Sequence, residues 1–174
     1  MGRNFSVRTL LTVVVLAALF FLLIRRPIET SSKLLAPGEM MPEIVTDGWL
    51  NEPAPTAEEL RDHIVVVDVW AYWCGPCREA LPAMVAAFEK YKDRDVRFIG
   101  LTMEGGDKIE DTRAVIDSAH VPYPNGYGAV ATIGKLGVTY IPAVFVVGRN
   151  GRIVWNNDRP GTVEEAIESA LAKN

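Results

Sequence analysis

The chain has 174 residues, 49% apolar and 23% charged, with a formal net charge of −4. That balance excludes a disordered chain, and the length suits one compact domain. Two cysteines only, Cys74 and Cys77, are too close in sequence to staple a miniature disulfide fold. The charge is also uneven. Residues 1–26 carry Arg3, Arg8, Arg25 and Arg26 and no acid; taking these four from the 18 basic residues leaves 14 against 22 acidic. An acidic remainder of that kind argues against nucleic-acid binding, which needs clustered Lys and Arg.

The first element is apolar. Thr9 through Ile24 carries polar groups only at Thr9 and Thr12 and is followed by Arg25 and Arg26. As a helix it would reach about 24 Å against roughly 30 Å of hydrocarbon, a deficit that thinning and arginine snorkelling can cover. The run ends Phe20-Phe21-Leu22-Leu23-Ile24, without the small residues of a cleavage site. An uncleaved single-pass signal anchor over 1–26 is therefore expected, with a cleaved signal peptide as the alternative. Arginines on both sides leave the orientation weakly set. Residues 27–39 read as a linker, and a folded domain is expected over 40–174.

Within that domain strands and helices alternate. Thr56-Ala57-Glu58-Glu59 is a capping box that predicts a short helix to about Asp62. Ile64 to Trp70 is a nearly unbroken apolar run, as a strand buried on both faces requires. Leu81, Met84, Val85 and Phe88 recur at helical spacing, so a helix is predicted to about Tyr91, with Pro82 inside it. Val96–Leu101 reads as a second central strand. Asp107 with Glu110 predicts a cap for a helix through about Ala119. Strands at Ala143–Val147 and Arg152–Trp155 flank Asn150-Gly151, a hairpin signal, and Thr162 with Glu165 caps a last helix. Together these predict a three-layer α/β domain.

Trp73-Cys74-Gly75-Pro76-Cys77 falls just after the buried strand and opens the next helix. Free N–H groups and partial positive charge at a helix start favour a thiolate over a thiol. Cys74, at the end of the dipole, is the expected attacking nucleophile, and Cys77, one turn further in, the resolving thiol. A zinc site needs four ligands, and the lone His63 and His120 lie at no finger-like spacing. Arg78 stands where heme attachment would need histidine. Asp68 sits inside the apolar strand, where burial should raise its pKa.

Val67-Asp68-Val69-Trp70-Ala71-Tyr72-Trp73-Cys74-Gly75-Pro76-Cys77 resembles the active-site segment of thioredoxins. The apolar amino terminus, Pro37-Gly38-Glu39 with Pro42, and the ending Gly137-Val138-Thr139-Tyr140-Ile141-Pro142-Ala143 resemble the membrane-anchored TlpA/ResA-like thiol-disulfide oxidoreductases. The resemblance implies a thioredoxin fold, three layers α/β/α around a central mixed sheet. It implies that Pro142 is a cis-proline beside the nucleophile and that Ile141 offers its backbone to a bound substrate strand. Trp73, Gly75 and Pro76 would complete that binding surface. Asp68 would mediate proton transfer to and from Cys77.

There are departures. The lysine that thioredoxins carry on the second central strand has no counterpart in Phe98-Ile99-Gly100-Leu101. Ala80 stands where many TlpA-like proteins have glutamate. Tyr123, Tyr127 and Tyr140 read as ordinary packing unless they edge a groove. The function implied is a reductase of protein disulfides on the extracytoplasmic face of the bacterial cytoplasmic membrane. Its implied clients are cytochrome c apoproteins or other exported thiol proteins, and its electron donor a DsbD- or CcdA-like membrane protein. No metal or organic cofactor is expected. A disulfide-forming oxidase and a non-catalytic tethered binding module are the alternatives.

Overall fold

The apolar run after His63 forms the centre of the sheet, because six consecutive buried residues need partners on both edges and cover on both faces. In this computed structural model, residues 34–51 and 53–173, with Val14 and Leu16, are described. The elements are β1 (Gly48–Leu50), α1 (Ala57–Leu60), β2 (Ile64–Val69), α2 (Gly75–Tyr91), β3 (Val96–Leu101), α3 (Ile109–Ser118), β4 (Asn125–Tyr127), α4 (Val130–Lys135), β5 (Ala143–Val147), β6 (Ile153–Asn156) and α5 (Val163–Leu171). The strand order is β1-β4-β3-β2-β5-β6. β2 pairs parallel with β3 and antiparallel with β5, so the sheet is mixed.

Side-chain alternation along β2 builds two cores. Ile64 and Val66 face a cluster with Leu81, Met84 and Tyr91 of α2, Ile116 of α3 and Ile167 of α5. Val65, Val67 and Val69 face the opposite cluster, with Phe145 and Val147 of β5 and Ile133 of α4. The result is the three-layer mixed-sheet thioredoxin fold that the sequence implied.

Local chemistry explains most boundaries. Thr56 and Thr162 each accept from the N–H three residues on, and Glu59 and Glu165 return the bond to the cap backbone. α1 stops at Leu60, short of the expected Asp62, because Arg61 is extended and Asp62 lies at φ 62°. The helix after β3 differs from its expected start. Gly106, at φ 56°, opens a single 3-10 turn over Gly106–Lys108, which takes Asp107 into the turn. α3 then begins at Ile109 with no side-chain cap. β6 begins at Ile153, and Arg152 instead forms an isolated bridge with Met40.

Packing starts earlier than residue 40. Leu34 is buried, and the Leu35 N–H donates to Leu136 O, so part of the expected 27–39 linker belongs to the domain. The expected anchor over 1–26 lies outside the described residues, apart from Val14 and Leu16. Among the described residues no helix is long and apolar enough to cross a membrane.

Gly100 has a packing role. A Cβ there would overlap the Asn125 amide and stand 2.9 Å from Trp70 Nε1. Gly100→Ala should therefore cost about 1–3 kcal/mol of stability through overpacking. Gly134→Ala, in open space within α4, should instead gain about 0.5–1 kcal/mol from reduced backbone entropy. Urea denaturation of the two variants checks the pair, and shifts of the same sign would contradict it.

Candidate active site

Cys74 caps the amino terminus of α2. Its Sγ accepts from the Cys77 N–H at 3.1 Å, which satisfies one orphan donor of the helix start and places the sulfur on the positive end of the dipole. Gly75 and Pro76 fill the first two helical positions, where proline lacks no needed donor. The two cysteines form a disulfide. Cys74 is 5% exposed and Cys77 2%, so Cys74 is the sulfur nearer the surface.

Chain segments distant in sequence close over this pair. The Ile141–Pro142 peptide bond is cis, and Ile141 O lies 3.9 Å from Cys74 Sγ. With both sulfurs joined there is no thiol proton, so this distance marks proximity. Asn157, which the sequence did not single out, clips the strand beyond Pro142. Its amide donates to Pro142 O at 3.1 Å and accepts from the Val144 N–H at 2.9 Å. Trp73, Met103, Val138, Thr139, Tyr140 and Ile141 line a groove of 290 Å³ beside the disulfide. Trp73 is 58% exposed, and its indole N–H donates to Glu104 at 2.7 Å. The other Glu104 oxygen accepts from Thr102 Oγ1, so one carboxylate fixes the indole to the end of β3.

Asp68 lies on the same face of β2 as Val66 and Trp70, the face that carries the cysteines. It is buried, opposite Gly100 on β3 and Val144 on β5. Desolvation pushes its carboxyl up to about 7, partly offset by the Tyr123 hydroxyl at 3.5 Å. The sequence-expected residues Cys74, Cys77, Asp68, Gly75, Pro76, Ile141 and Pro142 therefore converge at the carboxyl end of β2 and the start of α2. Trp73 borders the same place from outside. His63 lies elsewhere, paired with Asp95 at 3.2 Å. Tyr140 is exposed and bonded to Asp158, whereas Tyr123 is wholly buried. Among the described residues no three His, Cys, Asp or Glu side chains converge as a metal site.

A β-α unit that delivers a dithiol to a helix start, faced by a cis-proline, is the architecture of one family, and the comparisons agree. Residues 62–153 match the family model described as thioredoxin-like. The chain belongs to the thioredoxin-like family. It is 23% identical over 175 aligned positions to the thiol-disulfide oxidoreductase ResA of Oceanobacillus iheyensis, covering 97% of this chain and 83% of that one. Identity to the thiol:disulfide interchange protein CycY of Rhizobium leguminosarum is 28% over 134 positions, 70% of this chain and 67% of that one. The fold superposes on the crystal structure of a thiol-disulfide isomerase from Corynebacterium glutamicum with a TM-score of 0.66 at 22% identity, covering 83% and 99% of the two chains. This thioredoxin-like protein is a redox enzyme whose cysteine pair is Cys74–Cys77.

The buried carboxyl makes stability depend on pH. Folded Asp68 keeps its proton to about pH 7, against 3.8 for an ordinary aspartate, so the folded state holds more protons between those limits. Stability must then fall as pH rises through that window. Asp68→Asn removes the loss: the variant should match the parent near pH 4 and exceed it by about 2–4 kcal/mol at pH 8. Denaturation of the oxidised protein at the two pH values checks this. A stability gap independent of pH would contradict it.

Proposed function

We propose that this chain is a membrane-tethered, extracytoplasmic thiol-disulfide oxidoreductase that reduces protein disulfides. The observation that carries the reading is the Cys74–Cys77 pair at a helix amino terminus, beside an open backbone edge at Ile141 and a buried carboxyl at Asp68.

In the reduced enzyme the Cys74 thiolate, stabilised by the start of α2, attacks one sulfur of a substrate disulfide. One S–S bond breaks, a mixed disulfide forms, and the first substrate sulfur leaves as a thiolate. Ile141 presents its backbone to the extended substrate segment, with Pro142 shaping the turn beneath it. Trp73, with Gly75 and Pro76, borders the docked segment. Asp68 accepts the Cys77 proton, because a carboxyl held near 7 is ionised often enough to take one at neutral pH. The Cys77 thiolate then attacks Cys74 Sγ and releases the second substrate thiol. Two electrons have passed to the substrate, and the enzyme is left as the disulfide described above. An external dithiol must restore it, and in an oxidising compartment a DsbD- or CcdA-like membrane protein supplies it.

The apolar run Thr9–Ile24 supports the tether, and likeness to ResA and CycY supports the thiol-disulfide chemistry. The resemblance of the sequence to the TlpA/ResA-like proteins implies the extracytoplasmic placement and a client among cytochrome c apoproteins or other exported thiol proteins. The mechanism needs no metal or organic cofactor.

A Cys77→Ser variant cannot resolve the mixed disulfide, so expression of the full chain in its native membrane should accumulate Cys74-linked adducts that dithiothreitol releases. Adducts formed instead by Cys74→Ser would reverse the two roles. For the tether, carbonate washing should leave the full chain in the membrane pellet, and a membrane-impermeant maleimide should label reduced Cys74 in intact spheroplasts. Labelling only after lysis would place the domain on the cytoplasmic side.

A further inference from the structure

Asp68 is the only buried carboxylate among the described residues. Its neighbours in register, Gly100 on β3 and Val144 on β5, offer it no polar side chain. α3 and α5 bring Ile116, Ala166, Ile167 and Ala170 to the same core, and α2 brings Leu81 and Met84. The titratable groups buried in that core are the two cysteines, Tyr91 at the opposite end of α2 from them, and Tyr123, and Tyr72 and Tyr127 pack against it partly buried. Tyr123 alone reaches Asp68, with its hydroxyl 3.5 Å from Asp68 Oδ2.

Tyr123 is held from several directions. Its ring lies against Phe88 and Phe98, with centroids 5.9 and 6.0 Å away. Its carbonyl accepts from two side-chain amides, Asn51 Nδ2 and Asn125 Nδ2, both at 2.8 Å. Asn51, at φ 61° just beyond β1, also donates to Val121 O at 2.7 Å. Asn125 Oδ1 in turn accepts from Trp70 Nε1 at 2.9 Å. The Asn125 amide occupies the space that the missing side chain of Gly100 leaves open. Asn125 and Trp70 are buried and Asn51 lies at the surface, and linked bonds of this kind fix geometry more tightly than separate bonds would.

We infer that Tyr123 is a positioning residue for proton exchange at the dithiol, its backbone held by Asn51 and Asn125 and its ring by Phe88 and Phe98 so that its hydroxyl donates to the Asp68 carboxylate. The inference rests on the reading of Asp68 as the group that exchanges a proton with Cys77. Burial and the adjacent carboxyl push the Tyr123 phenol well above its ordinary range, so it serves as a fixed donor and not as a relay. A donor stabilises the ionised carboxylate against the desolvation that opposes it. Removing the donor must therefore move Asp68 ionisation to higher pH.

The test uses the full chain, with Asp68 followed by carboxyl carbon NMR in the oxidised protein. Tyr123→Phe keeps the ring and should raise the Asp68 midpoint by about one pH unit. Fluorotyrosine incorporated at position 123, a stronger donor, should lower it, which guards against a packing artefact in the phenylalanine variant. The pH profile of turnover on a protein disulfide should shift upward with Tyr123→Phe and lose that inflection in Asp68→Asn. An unmoved carboxyl midpoint overturns the inference whatever turnover does. A turnover profile untouched by Asp68→Asn overturns instead the proton-exchange role of Asp68 on which it rests.

Discussion

Burial of β2 on both faces is the constraint on which the rest of the structure depends. A strand of six buried residues must pair on both edges and be covered by helices above and below, and this sheet does so with β3, β5 and the two cores. One of the six is Asp68. Placing a carboxyl there costs stability whenever it ionises, and the cost is tolerated at the point where the strand turns into the dithiol. A chain optimised for stability alone would carry an apolar residue at this place.

What surrounds the carboxyl follows from that constraint. The strand ends at Val69, the chain turns, and Cys74 takes the cap of α2, so strand and helix together set the spacing between carboxyl and sulfurs. The opposing backbone just beyond Ile141 is fixed by Asn157, at Pro142 and Val144, and so depends on the β5–β6 hairpin, not on the cysteine segment. Glu104 holds Trp73 from the end of β3. Three different parts of the sheet therefore meet at one disulfide. This is why the site could not be assembled from the cysteine motif alone.

Where period or cap chemistry was strong, the sequence was legible. β2 and β3 showed as apolar runs, α2 as a helical repeat, and α1 and α5 through Thr-x-x-Glu boxes that the structure reproduces. Three elements left no signal. β1 and β4 are three residues each and contain Gly48 and Gly126, too short to display an alternation, and they exist because they pair with each other. α4 has six residues and no side-chain cap. Asp107 misled because a cap motif says nothing about the backbone before it, and Gly106 placed that residue inside a 3-10 turn. Asp68 and the cysteines were readable from local context. Tyr123, between Pro122 and Pro124, was not, since its partnership with Asp68 spans 55 positions and depends on the register that sets Gly100 opposite the carboxyl.

The proposed role requires the Cys74–Cys77 couple to give electrons to protein disulfides and not to withdraw them. Equilibration of the full chain with reduced and oxidised glutathione, followed through the fluorescence of the tryptophans near the disulfide, measures the potential of that couple. A value near the thioredoxin range, about −270 mV, is the result expected of a reductant. A value above about −150 mV, toward the disulfide-forming oxidases near −120 mV, would contradict it.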